Sequence, residues 1–129
     1  MSMITDMTKK AWLIALIAIV LAAGLRAADP TGRWTATFNT DIGEQQYTFE
    51  FVVKGSTLTG TAKGSLTGET KISDGKVDGD KITFVENASF MEMPIRISYS
   101  GTMTSADEIK FTRNVADIAN EELVAKRVK

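Results

Sequence analysis

The chain of 129 residues contains no cysteine, no histidine and only 2 prolines. The lack of cysteine excludes disulfides, thiol nucleophiles and a lipid-bearing N-terminal cysteine. The additional lack of histidine excludes Cys/His zinc sites, Ser-His-Asp triads and imidazole proton relays. The formal net charge is −1, so no basic surface is expected that would hold a nucleic-acid backbone. We therefore predict a protein without a cofactor, a metal site or a nucleic-acid partner.

The residues that are present have the composition of one globular domain. Apolar residues make up 43% of the chain and charged residues 24%. Such a chain is too apolar to be disordered, and at this length it is too short for two ordinary domains. Only carboxylates, tyrosines and lysines remain as candidate acids and bases.

The N-terminal segment is typical of a secretory signal peptide. Lys9 and Lys10 precede an uncharged apolar run at residues 11–25, and small residues follow it. As a helix this run would rise about 22 Å, short of the roughly 30 Å hydrocarbon thickness of a membrane. We predict a signal peptide at residues 1–27 and one domain at residues 28–129, secreted or periplasmic, with no stable membrane span after cleavage. An uncleaved N-terminal anchor is the alternative.

The first six residues carry a separate signal. Residues 1–6, Met-Ser-Met-Ile-Thr-Asp, resemble the vector-encoded start of the β-galactosidase α-peptide. The resemblance implies that these residues are vector-derived, that the natural start is Met7, and that the gene came from a metagenomic expression library of bacterial DNA.

The rest of the chain follows a period-two hydrophobic pattern that predicts β-strands. In the first segment Trp34, Ala36 and Phe38 share one face, and polar residues share the other. Eight segments show this pattern: residues 33–39, 46–53, 57–63, 70–77, 82–86, 95–100, 109–114 and 122–128. Most connections are too short for crossover helices, so neighbouring strands are predicted to be antiparallel.

Eight such strands form either a closed up-and-down barrel or a β-sandwich. Small residues such as Gly60 and Ala62 on the inner face suit a tapering barrel interior. Closure also removes both exposed edges of a chain that is prone to β-pairing. We predict an all-β, eight-stranded antiparallel up-and-down barrel, with the β-sandwich as the alternative.

One motif at the first strand supports the barrel. Residues 31–34, Thr-Gly-Arg-Trp, resemble the Gly-x-Trp motif of the calycin superfamily, which includes lipocalins, fatty-acid-binding proteins and avidins. The resemblance implies a lipocalin-like barrel in which Trp34 closes one end and a basic residue of the last strand lies across its ring. Arg127 matches that basic residue, and Arg113 is the second candidate.

A second resemblance covers nearly all of the predicted domain. Residues 28–38, 41–49, 74–86, 107–113 and 121–128 are similar to a family of small secreted domains from soil bacteria. Such domains occur alone or beside glycoside hydrolases, and some carry hydrolase or xylanase labels. The resemblance implies a carbohydrate context but transfers no catalytic residue.

Strand alternation places four polar side chains inside the predicted barrel. Glu86 follows Ile82 and Phe84 on the inner face, and Arg113 likewise follows Ile109 and Phe111. Both are predicted to lie at strand ends, where they form either a ligand-orienting pair at the barrel mouth or a buried structural ion pair. Tyr47 and Tyr99 are also predicted to face inward, as core side chains or as rings that stack on a sugar.

The segment at residues 87–93 is predicted to be an apolar loop. Phe90 and Met91 in this loop either fold over the core or line a pocket entrance. A glycosidase needs two carboxyl groups about 5–9 Å apart, one of them with a raised pKa. Glu86 with Glu92 or with Asp41 is the combination that would have to supply them.

Three functions remain open at this stage. The first is a secreted barrel that binds a carbohydrate or a small amphipathic ligand at its mouth. The second is a small xylanase-like glycoside hydrolase with carboxylate acid/base catalysis, and the third is a structural barrel without a pocket. The sequence does not decide whether the protein is an enzyme, nor its oligomeric state.

Overall fold

A computed structural model describes residues 29–129, so the predicted signal peptide and the predicted vector-derived residues lie outside the described part of the chain and stay predictions. The described part contains eight strands: β1 (Gly32–Thr40), β2 (Gly43–Lys54), β3 (Thr57–Gly64), β4 (Gly68–Asp78), β5 (Lys81–Phe90), β6 (Met93–Ser105), β7 (Glu108–Val115) and β8 (Ala119–Arg127).

Each strand pairs with the next in antiparallel register, and β8 returns to pair with β1. The sheet is therefore a closed up-and-down barrel. This confirms the predicted fold class and excludes the β-sandwich. Among residues 29–129, no helix has the length and hydropathy that spanning a membrane would require.

The middle of the barrel is filled by aromatic side chains. Six rings that point inward from alternate strand positions are 0–2% exposed: Tyr47, Phe49, Phe51, Phe84, Tyr99 and Phe111. Phe84 and Tyr99 stack with their ring centroids 4.4 Å apart, and Phe49 meets Tyr99 edge to face. Full burial of each such ring contributes about 1.5–3 kcal/mol to folding. The barrel centre is therefore a packed core.

Two glycines let the sheet bend into a barrel. A Cβ atom at Gly60 would overlap the carbonyl oxygen of Glu50, and one at Gly75 would overlap that of Leu58. The registers of the β3–β4 and β4–β5 pairs shift beside these glycines. Such bulges increase the local twist and bend that closure requires. Gly60 therefore serves close strand approach as well as the taper expected from the sequence.

The up-and-down topology gives the barrel two ends with different turns. Residues 55–56, 79–80 and 106–107 form the turns of one end, which also holds Pro30 and Val128; we call it the tryptophan end after Trp34. Residues 41–42, 65–67, 91–92 and 116–118 form the turns of the other, which we call the methionine end after Met91.

The prediction of a loop at residues 87–93 is wrong. Strand β5 continues to Phe90, and Ala88 pairs with Ile95. Only residues 91–92 form the turn, with Met91 and Glu92 both at positive φ. The apolar side chains that suggested a folded-over loop belong instead to a regular strand and a tight hairpin turn.

Candidate functional site

The tryptophan end of the barrel is sealed. Trp34 is 0% exposed, and its indole N–H donates a hydrogen bond of 2.8 Å to the carbonyl oxygen of Pro30. The guanidinium of Arg127 lies 4.4 Å from the Trp34 ring centroid, the arrangement that the calycin resemblance implies. Arg127 also donates to three backbone carbonyl oxygens, those of Asp29, Thr31 and Ala106.

A buried carboxylate lies in the half of the barrel nearer the methionine end. Glu86 is 0% exposed. Its Oε1 accepts a hydrogen bond of 2.8 Å from the Tyr99 hydroxyl, and its Oε2 accepts one of 3.0 Å from the Tyr47 hydroxyl. The Tyr47 hydroxyl also lies 2.9 Å from the hydroxyl of Thr67 in the turn above. Glu86, Tyr47 and Tyr99 therefore point into the barrel, as predicted from strand alternation.

Arg113 completes this network. Its Nη1 donates to the Tyr99 hydroxyl at 3.0 Å, and its Nε donates to Oε1 of Glu121 at 2.7 Å. Its guanidinium carbon lies 4.7 Å from the ring centroid of Phe38. Arg113 therefore does not pair directly with Glu86 as the sequence suggested. Its ion-pair partner is Glu121, and Tyr99 bridges it to Glu86.

Burial dominates the electrostatics of the network. Desolvation raises the pKa of Glu86 above its ordinary value, although hydrogen bonds from Tyr99 and Tyr47 and the charge of Arg113 act in the opposite direction. Desolvation, with the nearby Glu86, also raises the pKa of Tyr47 and of Tyr99. Both hydroxyls thus keep their protons at neutral pH and stay donors to Glu86.

Two buried polar atoms near the network lack hydrogen-bond partners. They are Oε1 of Gln45, whose side chain is only 2% exposed, and Oγ1 of Thr70. Gln45 has the inward parity of Tyr47 on β2, and Thr70 pairs with the inward-facing Ala62. Buried acceptors without a partner are rare and indicate a site for a donor.

The methionine end has an apolar throat and an apolar rim. Ile95 and Val115 pack against the core but are only partly buried, and Phe90 is half-buried at the end of β5. Met91, in the adjoining turn, is 81% exposed. Phe90 and Met91 thus lie at a barrel mouth, and Met91 packs on no core residue.

The carboxylates proposed as partners of Glu86 are not placed beside it. Glu92 is exposed at the hairpin turn, beyond the four-residue stretch that leads from Glu86 to Phe90. At about 3.3 Å per residue that stretch alone spans about 13 Å. Asp41 is exposed in another turn. The carboxylate nearest the network is Glu121, which the sequence analysis missed although it has the same parity as Leu123 and Ala125 on β8.

The seam between the first and last strands widens toward the methionine end. Strands β1 and β8 form only two register pairs, Trp34 with Arg127 and Thr35 with Lys126. Beyond them a cleft of about 600 Å³ lies between residues of β1 such as Asn39 and residues of β8 that include Glu121. Glu121 therefore connects the buried network to an open cleft. Within residues 29–129, no group of three acidic side chains is arranged to hold a metal ion.

Comparison with known proteins identifies the fold only. No protein-family model and no curated protein matches the chain. Three solved structures are similar to it; two of them are redesigned beta barrels, and two are bound to DFHBI.

The first is a redesigned beta barrel, b11L5F_LGL, with a TM-score of 0.54, 17% identity and coverage of 81% of this chain and 94% of that one. The second is the redesigned beta barrel mFAP1 bound to DFHBI, with a TM-score of 0.55, 16% identity and coverage of 81% and 97%. The third is EF1p2_mFAP2b bound to DFHBI, with a TM-score of 0.51, 16% identity and coverage of 80% and 95%. At these identities the likeness extends to the barrel architecture and not to its side chains.

Proposed function

We propose that this barrel binds a small amphipathic ligand at its methionine end. The observation that carries the proposal is the position of the buried polar residues: Gln45, Glu86 and Arg113 all lie in the half nearer the methionine end, whereas Trp34 and Arg127 close the tryptophan end. An apolar concavity with a few convergent polar groups is the usual form of a small-molecule site in a barrel. The unpartnered Oε1 of Gln45 supplies an acceptor without a donor of its own.

The network gives such a site rigid walls. Arg113, Tyr99, Glu86, Tyr47 and Thr67 form a continuous chain of hydrogen bonds, so their rotamers are fixed before a ligand arrives. Fixed polar groups reduce the ordering cost of binding and select one orientation of the ligand. The ligand's apolar part would contact the throat, and its polar part would reach Gln45.

The comparisons support this proposal at the level of fold. Two of the similar barrels are bound to DFHBI, which is small compared with a barrel of eight strands. A barrel of this architecture can therefore hold a small ligand, although the side chains that do so differ between proteins.

An amphipathic ligand is favoured over a glycan because neither of the tyrosine rings in this half of the barrel faces solvent. Tyr47 and Tyr99 are 1% and 2% exposed, and their hydroxyls are both engaged with Glu86. A sugar would need a free ring face on which to stack. The throat offers partly buried aliphatic and phenyl groups instead.

Amide chemical shifts in a ¹⁵N NMR titration test the location and the ligand class together. Octyl glucoside, below its micelle concentration, should shift the turns at 41–42, 65–67, 91–92 and 116–118 and leave those at 55–56, 79–80 and 106–107 unchanged. Xylohexaose is the matched probe without an alkyl chain. Shifts only with xylohexaose would favour the carbohydrate module, and no shifts with either probe would contradict ligand binding at this end.

The glycoside hydrolase remains an alternative because of one observation, the raised pKa of Glu86. A general acid must reach the glycosidic oxygen, whereas both oxygens of Glu86 are occupied by tyrosine hydroxyls. Release of nitrophenol from a nitrophenyl xyloside that disappears in Glu86→Gln would establish the hydrolase. Equal rates in both proteins would attribute the release to a contaminant.

A further inference from the structure

The methionine end concentrates exposed apolar side chains. Each of its four turns exposes one, and Met93 adds a fifth: Ile42 is 48% exposed, Leu66 41%, Met91 81%, Met93 67% and Ile118 87%. The three turns of the tryptophan end, at residues 55–56, 79–80 and 106–107, expose no large apolar side chain, and Val128, which follows β8 at that end, is 44% exposed. Contiguous exposed apolar surface on a small domain marks a binding site.

The same end is acidic. Three of its four turns contain an exposed carboxylate, that of Asp41, Glu92 or Asp117, and near the fourth turn Glu69 lies opposite Lys63 on the neighbouring strand. None of these turns contains lysine or arginine, and the nearest exposed cations, Lys63, Lys71 and Arg96, are on the strands. Beneath the turns, the network holds the carboxyl groups of Glu86 and Glu121 against one guanidinium, that of Arg113. The potential at the mouth is therefore negative.

The hydrogen bonds around Gln45 fix which of its amide atoms is unpartnered. The Thr40 hydroxyl donates to the carbonyl oxygen of Gly43 at 2.7 Å, so its oxygen must accept from Gln45. That acceptor role assigns Nε2 of Gln45 to the contact of 3.1 Å with Thr40. Oε1 is left buried and unpaired, and an amide oxygen can be satisfied only by a donor.

From these three observations we propose that the ligand of the methionine end is a primary-ammonium amphiphile, an apolar body that carries an N–H-bearing cation. This inference rests on the ligand site proposed above and specifies its chemistry. The apolar rim and throat take the body, the acidic turns attract the charge, and Oε1 of Gln45, which is buried in this structure, accepts an N–H once its side chain turns toward the mouth. A second copy of the same end and an anionic lipid surface are both disfavoured, because each would bring like charge against these turns.

Isothermal titration calorimetry with four probes that share an eight-carbon chain tests the charge of the ligand and its N–H donor separately. Octylammonium should bind at least ten-fold more tightly than octanoate, with octyl glucoside between them, and the advantage should shrink as salt is added. Octyltrimethylammonium keeps the charge but has no N–H, so it should bind more weakly than octylammonium. The variant Gln45→Met should abolish that last preference.

Matched charge variants locate the attraction. Asp41→Asn with Asp117→Asn, at the methionine end, should weaken octylammonium binding at least three-fold and leave octyl glucoside binding unchanged. Asp78→Asn with Asp80→Asn makes the same change in net charge at the tryptophan end and should have little effect.

Two outcomes separate the proposals. Equal affinity for octanoate and octylammonium, or equal losses in the two double variants, would overturn the cationic ligand and leave the amphipathic site intact. If none of the four probes changes the amide chemical shifts of the turns at the methionine end in a ¹⁵N NMR titration, the proposed ligand site itself is wrong.

Discussion

The two ends of this barrel differ in the groups that hold an arginine in place. Each contains an arginine stacked on aromatic rings, Arg127 over Trp34 and Arg113 over Phe38. Arg127 donates to backbone carbonyl oxygens that are part of the fold itself. Arg113 instead donates to the side chains of Tyr99 and Glu121.

This difference separates what holds the barrel together from what could respond to a ligand. These carbonyl oxygens belong to the segment before β1 and to the turn at residues 106–107, so Arg127 ties both to β8 and the tryptophan end is a structural seal. Arg113 is held by side chains alone, and one of them, Glu121, borders an open cleft. A network of side chains beside unpartnered acceptors is the kind of arrangement that functional sites retain at some expense of stability.

The largest expected effect comes from breaking the seal. Trp34→Ala removes a fully buried indole and its hydrogen bond to Pro30, and should lower the free energy of unfolding by about 3–5 kcal/mol. Urea denaturation measures this loss. A loss below about 1 kcal/mol would show that Trp34 does not anchor the barrel.

The second prediction compares the two arginines directly. Arg113→Met leaves Glu121 without its ion-pair partner beside a buried network, and should destabilise the protein by about 3 kcal/mol. Arg127→Met removes a side chain that is 23% exposed, together with its ion pair to Asp107 and its hydrogen bonds to carbonyl oxygens that water can then reach, and should lower stability by about 1–2 kcal/mol. Urea denaturation of both variants tests the order. The reverse order would show that the hydrogen bonds of Arg127 to carbonyl oxygens contribute more to stability than the ion pair of Arg113 with Glu121 does.

The third prediction concerns the pH dependence of the network. Because burial raises the pKa of Glu86 above 4.5, the folded protein holds this proton more tightly than the unfolded chain does. The stability that this group contributes is present below about pH 4.5 and is lost as the pH rises through the folded-state pKa. The unfolding free energy of the wild type minus that of Glu86→Gln should therefore fall with rising pH and then level off.

Urea titrations of both proteins between pH 4 and 8 check this dependence. Glu122→Gln, on the exposed face of β8, is the matched control, and its difference from the wild type should not follow that course. A difference for Glu86→Gln that rises with pH would mean that the folded state favours the carboxylate.

The barrel was predictable because a period of two places alternate side chains on a shared face wherever one face is buried. Trp34, Phe49, Phe84 and Phe111 all occupy the inner face that alternation assigned to them. The same rule placed Glu86 and Arg113 inside. It could not supply their partners, because which inward groups meet depends on register and barrel shear, and neither is written in a single strand.

The errors of the sequence analysis fall at strand ends for a related reason. Gln45 and Glu121 lie just before the predicted starts of β2 and β8, so the inner-face pattern was not extended to them. Conversely, Phe90 and Met91 were assigned to one apolar loop, although Phe90 continues the inward parity of Ala88. Polar residues at a barrel mouth break the hydrophobic signal at the positions where a site would be.

The smallest expected effect on stability belongs to the rim, and it is the one that best separates binding from folding. Met91 and Ile118 are 81% and 87% exposed, so Met91→Ala with Ile118→Ala should change the unfolding free energy by no more than about 0.5 kcal/mol. If these side chains instead form part of an amphiphile site, the same double variant should weaken octylammonium binding several-fold, since each lost contact exposes ligand hydrocarbon to water. The matched control is Val52→Ala, 46% exposed on the outer face of β2, which should leave octylammonium binding unchanged. Loss of stability without loss of binding would reverse the roles assigned to the two ends, because the methionine end would then be holding the fold together.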